Sequence, residues 1–99
     1  MEATFSVQDG LARIVLVGDF TFEAHRPFKE ASQQALSTAG VTELEIHFDQ
    51  VDYMDSAALG MLLLLRERFG ARPIRLAHTR GTVRAVLDVA NFGRLFQLV

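Results

Sequence analysis

The stretch from Asp55 to Gly70 constrains this chain more than any other. It opens on Asp55-Ser56, a pair suited to a helix N-cap, and continues as Ala57-Ala58-Leu59-Gly60-Met61-Leu62-Leu63-Leu64-Leu65-Arg66-Glu67-Arg68-Phe69 before a closing glycine. A helix of that composition is apolar on nearly every side, so most of it is expected to be buried, with the Leu62–Leu65 run in the core. Its longest apolar run, Met61 to Leu65, is far too short to cross a bilayer. Protein must therefore surround it. With 99 residues available, that means one compact domain over 1–99.

The remaining segments supply a sheet. Phe5 and Val7 alternate with Thr4, Ser6 and Gln8, which predicts a first strand over 3–8. Asp9-Gly10 is a two-residue turn signal, and Leu11 to Val17 follows as a second strand, deep in the sheet because it is apolar on both faces after Arg13. Between Phe22 and Ala39, residues Phe28, Ala31, Ala35 and Leu36 recur at helical spacing. Pro27 belongs in the first turn, so the regular helix is expected to begin near Arg26, and Gly40 is placed as its C-cap. Leu44, Ile46 and Phe48 alternate with Glu43, Glu45 and His47 as a half-buried strand, closed by a turn at Asp49-Gln50.

Pro73 to Ala77 reads as another short strand. Thr79 or Gly81 is expected to cap a last helix with the stripe Val83, Val86, Leu87 and Ala90. Leu95, Phe96, Leu98 and Val99 form an apolar tail suited to a final strand. The order is β-β-α-β-α-β-α with an optional terminal β. Crossover helices between the later strands imply parallel neighbours. The fold class is thus α/β, a mixed four- to five-stranded sheet covered by three to four helices.

Composition removes several functions. Ten Lys and Arg are scattered and outnumbered by twelve acids, for a formal charge of -2, so no direct contact with nucleic acid is expected. The absence of cysteine excludes disulfides and thiolate chemistry and suits a reducing cytosol. Met1-Glu2-Ala3-Thr4 lacks the basic and apolar regions of a signal peptide, and a soluble cytoplasmic protein with no membrane contact is expected.

Asp49, Asp52 and Asp55 recur at every third residue, but without calcium-loop spacing they read as caps and turn residues. His25, His47 and His78 have no paired ligand spacing. No serine has a hydrolase-nucleophile context, and Gly18, Gly60 and Gly70 form no phosphate-cradling loop. Neither metal nor cofactor is expected, and no catalytic pair is visible. Arg66, Glu67 and Arg68 read as the solvated helix end, with cations well placed for its C-terminus.

What chemistry remains centres on Ser56. At a helix N-terminus the hydroxyl lies beside free backbone N–H groups and the positive end of the helix dipole, and small neighbours let a partner approach. A phosphate there would be tolerated by the helix while adding roughly -1.5 to -2 charge to the surface. The plain alternative is that Ser56 is itself the N-cap. Phe20 and Phe22 are either partner anchors beside this corner or ordinary core.

Met54-Asp55-Ser56-Ala57-Ala58-Leu59-Gly60 resembles the Asp-Ser-(Ser/Thr/Ala)-Gly-Leu-Gly signature of bacterial STAS-domain anti-sigma factor antagonists. Gly18-Asp19-Phe20 stands at that family's turn after the second strand, and the segments Leu44–Phe48 and Val51–Met54 are similar to its central strand and lead-in. The resemblance implies a STAS fold and a non-enzymatic interaction switch. Ser56 would be the phosphoacceptor, and Asp19, Phe20, Thr21, Asp55, Ser56, Ala57, Ala58 and Leu59 would form the partner-binding surface. The implied partners are an anti-sigma factor or serine kinase and a serine phosphatase, or a response regulator carrying these activities, with the protein a monomer or weak dimer.

The form of the motif is similar to a Gram-negative branch linked to response-regulator phosphatase/kinase proteins. Ala58 departs from the motif glycine, which puts the backbone at the helix start in question. Within the same family, a structural subunit of a lipid-transport ABC complex and a small-ligand sensor are the alternative roles.

Overall fold

In a computed structural model describing residues 1–99, Asp9 and Gly10 take positive φ, 51° and 84°, and turn the chain between its first two strands. Positive φ at both central positions is the geometry that matches the twist of a hairpin. It joins β1 (Glu2–Gln8) to β2 (Leu11–Val17) in antiparallel register, with Phe5 opposite Ile14. A short 3-10 turn, Phe22–Ala24, leads into α1 (His25–Ser37). Then come β3 (Glu43–Gln50), α2 (Ser56–Arg68), β4 (Ile74–Ala77), α3 (Gly81–Val89), a second 3-10 turn at Phe92–Arg94, and β5 (Gln97–Leu98).

The sheet order is β1-β2-β3-β4-β5, and every pair after the hairpin is parallel. The helices that make those parallel connections all cover one face. Ile14, Leu16, Leu44, Ile46, Phe48 and Leu76 are completely buried there. They join Phe28 and Ala31 of α1, Ala58 and Leu62 of α2, and Val83 and Leu87 of α3 in one core cluster. No helix is long and apolar enough to cross a membrane.

The opposite face carries the alternate residues of the same strands. Arg75 bonds Glu43 at 2.6 Å and Glu45 at 3.2 Å, Arg13 approaches Glu45 at 3.4 Å, and His47 also bonds Glu45. Partial burial raises the Glu45 pKa, but hydrogen bonds from His47 and Arg75, with the charges of His47 and Arg13, outweigh it and hold the carboxyl below its ordinary value. A ladder of satisfied charges, not a layer of helices, finishes this side of the sheet.

Several boundaries differ from the sequence reading. β3 is assigned through Asp49 and Gln50, and the turn expected at these two residues is present at its end, where Val51 N–H donates to Phe48 O at 3.0 Å. The cap of α1 is Thr38 in extended conformation, and Gly40 sits two residues beyond it in a positive-φ turn. Neither Thr79 nor Gly81 caps α3: its N-cap is Arg80, and no side chain closes that end.

The largest correction concerns α2. Only Ala58, Leu62 and Leu65 are buried, while Leu63 and Leu64 are 42% and 49% exposed. One sheet face needs only one stripe of this helix. Arg66 is not a solvated end either, since it donates to the carbonyls of Gly70, Arg72 and Leu95 and ties the helix to the loops beyond it.

Candidate partner-binding corner

Two chain segments meet at the N-terminus of α2. The loop after β2 and the segment after β3 leave adjacent parallel strands, so they emerge side by side. The backbone then stitches them together. Gly18 N–H donates to Gln50 O at 3.0 Å, Phe20 N–H to Tyr53 O at 2.9 Å, and Asp55 N–H to Phe20 O at 3.2 Å. Phe20 and Met54 form a parallel bridge at this crossing.

Asp55 locks the junction. One carboxylate oxygen accepts the Ala58 N–H at 3.1 Å, which makes Asp55 the N-cap of α2, and the other accepts the Phe22 N–H at 3.1 Å. Capping and loop attachment are done by a single side chain. Ser56 is therefore not the cap. It is the first helical residue, exposed, with its hydroxyl free of the capping role.

The predicted contact residues separate sharply by burial. Asp19 and Ser56 are exposed, and Thr21, Asp55, Ala57 and Leu59 are half-buried. Phe20 and Ala58 are fully buried, so neither offers a side chain to a partner. The Phe20 ring packs, tilted, with its centroid 4.8 Å from that of Phe28 and 6.2 Å from that of Phe48. It anchors the loop from below, because a large apolar ring at this crossing has the whole core to enter. Ala58 is not among the positive-φ residues and sits in ordinary helix, so the missing motif glycine imposes no backbone strain here.

Phe22 has the opposite fate to Phe20 and is 72% exposed, and Tyr53 is 49% exposed on the other segment. Two solvated aromatics thus flank Asp55 and Ser56. Tyr53 went unnoticed in the sequence, although it stands in a strand-like run whose neighbours Val51 and Met54 are core. Strict alternation would have put it on the same side as the buried Val51, so its exposure shows that the chain over 51–54 departs from regular strand geometry. A shallow apolar shoulder formed by Leu59, Val86, Val89 and Ala90 lies between α2 and α3, one turn from Ser56.

The three aspartates have separate duties. Asp55 caps, Asp52 pairs with Arg80 at 3.0 Å, and Asp49 is the penultimate residue of β3, its carbonyl accepting from Arg80 at 2.7 Å. His47 and His78, distant in sequence, have ring centroids 5.2 Å apart near the open sheet face, away from this corner.

The corner's construction, two parallel strand exits clasped over an acidic-capped helix, can be set beside known proteins. The sequence over residues 3–99 matches the family described as "Mlab, STAS domain". The chain belongs to the STAS family. A STAS-domain containing protein of Pseudomonas aeruginosa strain UCBPP-PA14 is 37% identical over 87 residues, covering 86% of this chain and 84% of that one.

Solved STAS structures share the fold. An anti-sigma factor antagonist from Mycobacterium paratuberculosis superposes with a TM-score of 0.86 at 15% identity, covering 97% of this chain and 82% of the other. The Bacillus cell fate determinant SpoIIAA in its phosphorylated form gives 0.73 at 20% identity, covering 98% and 90%. The mixed five-stranded sheet with helices on one face is therefore the STAS architecture, as expected from the Asp55-Ser56 motif and the element order.

Proposed function

We propose that this STAS protein is an anti-sigma factor antagonist, a cytoplasmic, non-catalytic switch that binds a regulator through the Ser56 corner and is released from it by phosphorylation of Ser56. The observation that carries this reading is the division of labour at the start of α2. Asp55 does the capping, so the Ser56 hydroxyl can be modified without removing any bond that holds the helix.

The electrostatics support the same reading. A phosphate at the first helical position meets the positive end of the dipole, which offsets its charge within the domain. A bound partner gains only the repulsion. The fold shared with SpoIIAA, a protein solved in a phosphorylated form, adds support by analogy. The partners this implies are a serine kinase that is, or works with, an anti-sigma factor, and a serine phosphatase that resets the switch.

The direct test is phosphoryl transfer from ATP by the cognate serine kinase. Wild type is expected to take up about one phosphate per chain and Ser56→Ala none, read by intact mass. Equal labelling of the two proteins refutes the site.

The binding surface has its own test. Phe22→Ala and Tyr53→Ala are each expected to weaken the regulator complex about tenfold, because exposed aromatics act as interface anchors. Their melting temperatures are expected to stay close to wild type, since neither ring contributes to the core. Undiminished affinity in both variants would move the interface elsewhere.

A second reading, which the motif resemblance also allows, is a structural subunit of a lipid-transport ABC complex. It predicts a complex whose affinity ignores the charge at Ser56.

A further inference from the structure

Away from the Ser56 corner, α1 and α2 diverge enough to leave a slot of about 120 Å³ between them. Its floor is apolar: Phe28 and Leu65 come from the core, while Met61 and Leu64 form one wall. Ser32 also lines it, nine-tenths buried, and its hydroxyl has no hydrogen-bond partner.

The rim is basic. His25, Lys29 and Arg68 surround the slot, and no carboxylate lines it. The cations of this chain are otherwise engaged. Arg13, Arg26, Arg75, Arg80 and Arg84 pair with carboxylates, and Arg66 and Arg72 donate to backbone carbonyls. Lys29, Arg68 and Arg94 alone lack such a partner, and two of those three stand at this one slot. In a protein of net charge -2, that is a local concentration of unneutralised positive charge over exposed apolar surface.

We infer that the α1–α2 slot is a second docking site, one that takes a leucine-sized side chain from an acidic segment of a partner protein. Size selects the occupant. Sites for free small molecules usually enclose about 300–1,000 Å³. A slot of this size suits a single aliphatic side chain better than a whole small molecule. Its remaining affinity must come from outside it, and the free cations at the rim select carboxylates in the flanking chain. Leu64 lies eight residues along α2 from Ser56, roughly 12 Å at the rise of a helix, so one short segment reaches both sites. The partner class follows from the interaction reading above, but the slot itself does not depend on Ser56.

The probe is a capped pentapeptide, leucine with two glutamates on each side, titrated into the full-length ¹⁵N-labelled protein. Saturable shifts are expected at the amides of Phe28, Ser32 and Leu64, and equally in Ser56→Asp. The Lys29→Glu/Arg68→Glu double variant is expected to bind about tenfold more weakly, and its unperturbed spectrum elsewhere reports an intact fold. Equal shifts from a peptide with alanine at the centre, or with lysines as flanks, would overturn the proposal. So would hexanoate binding as tightly as the peptide, because the occupant would then be a free carboxylate. Loss of phosphoryl transfer at Ser56 with peptide binding intact would refute the switch and leave the slot standing.

Discussion

Phe20→Ala is expected to cost about 3–5 kcal/mol of folding stability, the range for removing a fully buried aromatic from a packed core. The ring is completely inaccessible and lies between Phe28 of α1 and Phe48 of β3. Small domains have about 5–15 kcal/mol in total, so the loss is a large fraction of a typical domain's stability and is enough to unfold a domain at the low end of that range. Thermal unfolding followed by circular dichroism gives the number.

The contrast with Phe22→Ala is the sharper result. The two residues are separated only by Thr21, are chemically identical, and share one loop, yet one is buried and the other is 72% exposed. Comparable destabilisation by both substitutions would mean that Phe22 is packed. In that case the corner would be built differently from the account above. A Phe20→Leu control keeps most of the apolar volume and is expected to lose much less than alanine.

That pair also marks where the sequence was legible and where it was not. Alternation in β1 and β3, the Asp9-Gly10 turn and the helical spacing of Phe28, Ala31 and Ala35 report local geometry, and local geometry decided those elements. The clasp at the corner is non-local. Nothing near Phe20 says that its ring enters the core while Phe22 turns outward, because the decision is made by bonds to Tyr53 and Asp55 some thirty-three residues away.

Legibility failed in the same way for α2. An all-apolar helix has no polar face to orient it, so composition could not say that Leu63 and Leu64 would remain exposed. Only the count of sheet faces covered by helices decides that. The ion-pair ladder was likewise invisible: Glu43, Glu45 and His47 read as the wet side of one strand, and Arg13 and Arg75 reach them from two others. The motif, by contrast, was readable as the start of a helix, although burial removes Phe20 and Ala58 from the surface expected there. One ambiguity there, whether Ser56 or Asp55 caps the helix, turned on a single residue of register.

On that register rests the second large effect. Ser56→Asp is expected to weaken the regulator complex on the order of a hundredfold, while the domain melts within a few degrees of wild type. The two expectations have one cause. Inside the domain, a negative group at the first turn of α2 gains roughly 0.3–1 kcal/mol from the helix dipole and displaces nothing, because Asp55 already satisfies the Ala58 N–H. At the interface, the same group must be desolvated against a surface that fits a neutral hydroxyl, and like-charge or unpaired-charge juxtaposition costs several kcal/mol. Ser56→Asn separates size from charge: it is nearly isosteric with aspartate and is expected to bind much better than Ser56→Asp. Raising the salt from 0.05 to 0.5 M is expected to recover part of the aspartate variant's loss, since the corner is exposed and its charges are screened within a Debye length. If asparagine and aspartate bind equally poorly at both salts, bulk and not charge controls the interface, and a phosphate acts there as a wedge instead of a repelling anion.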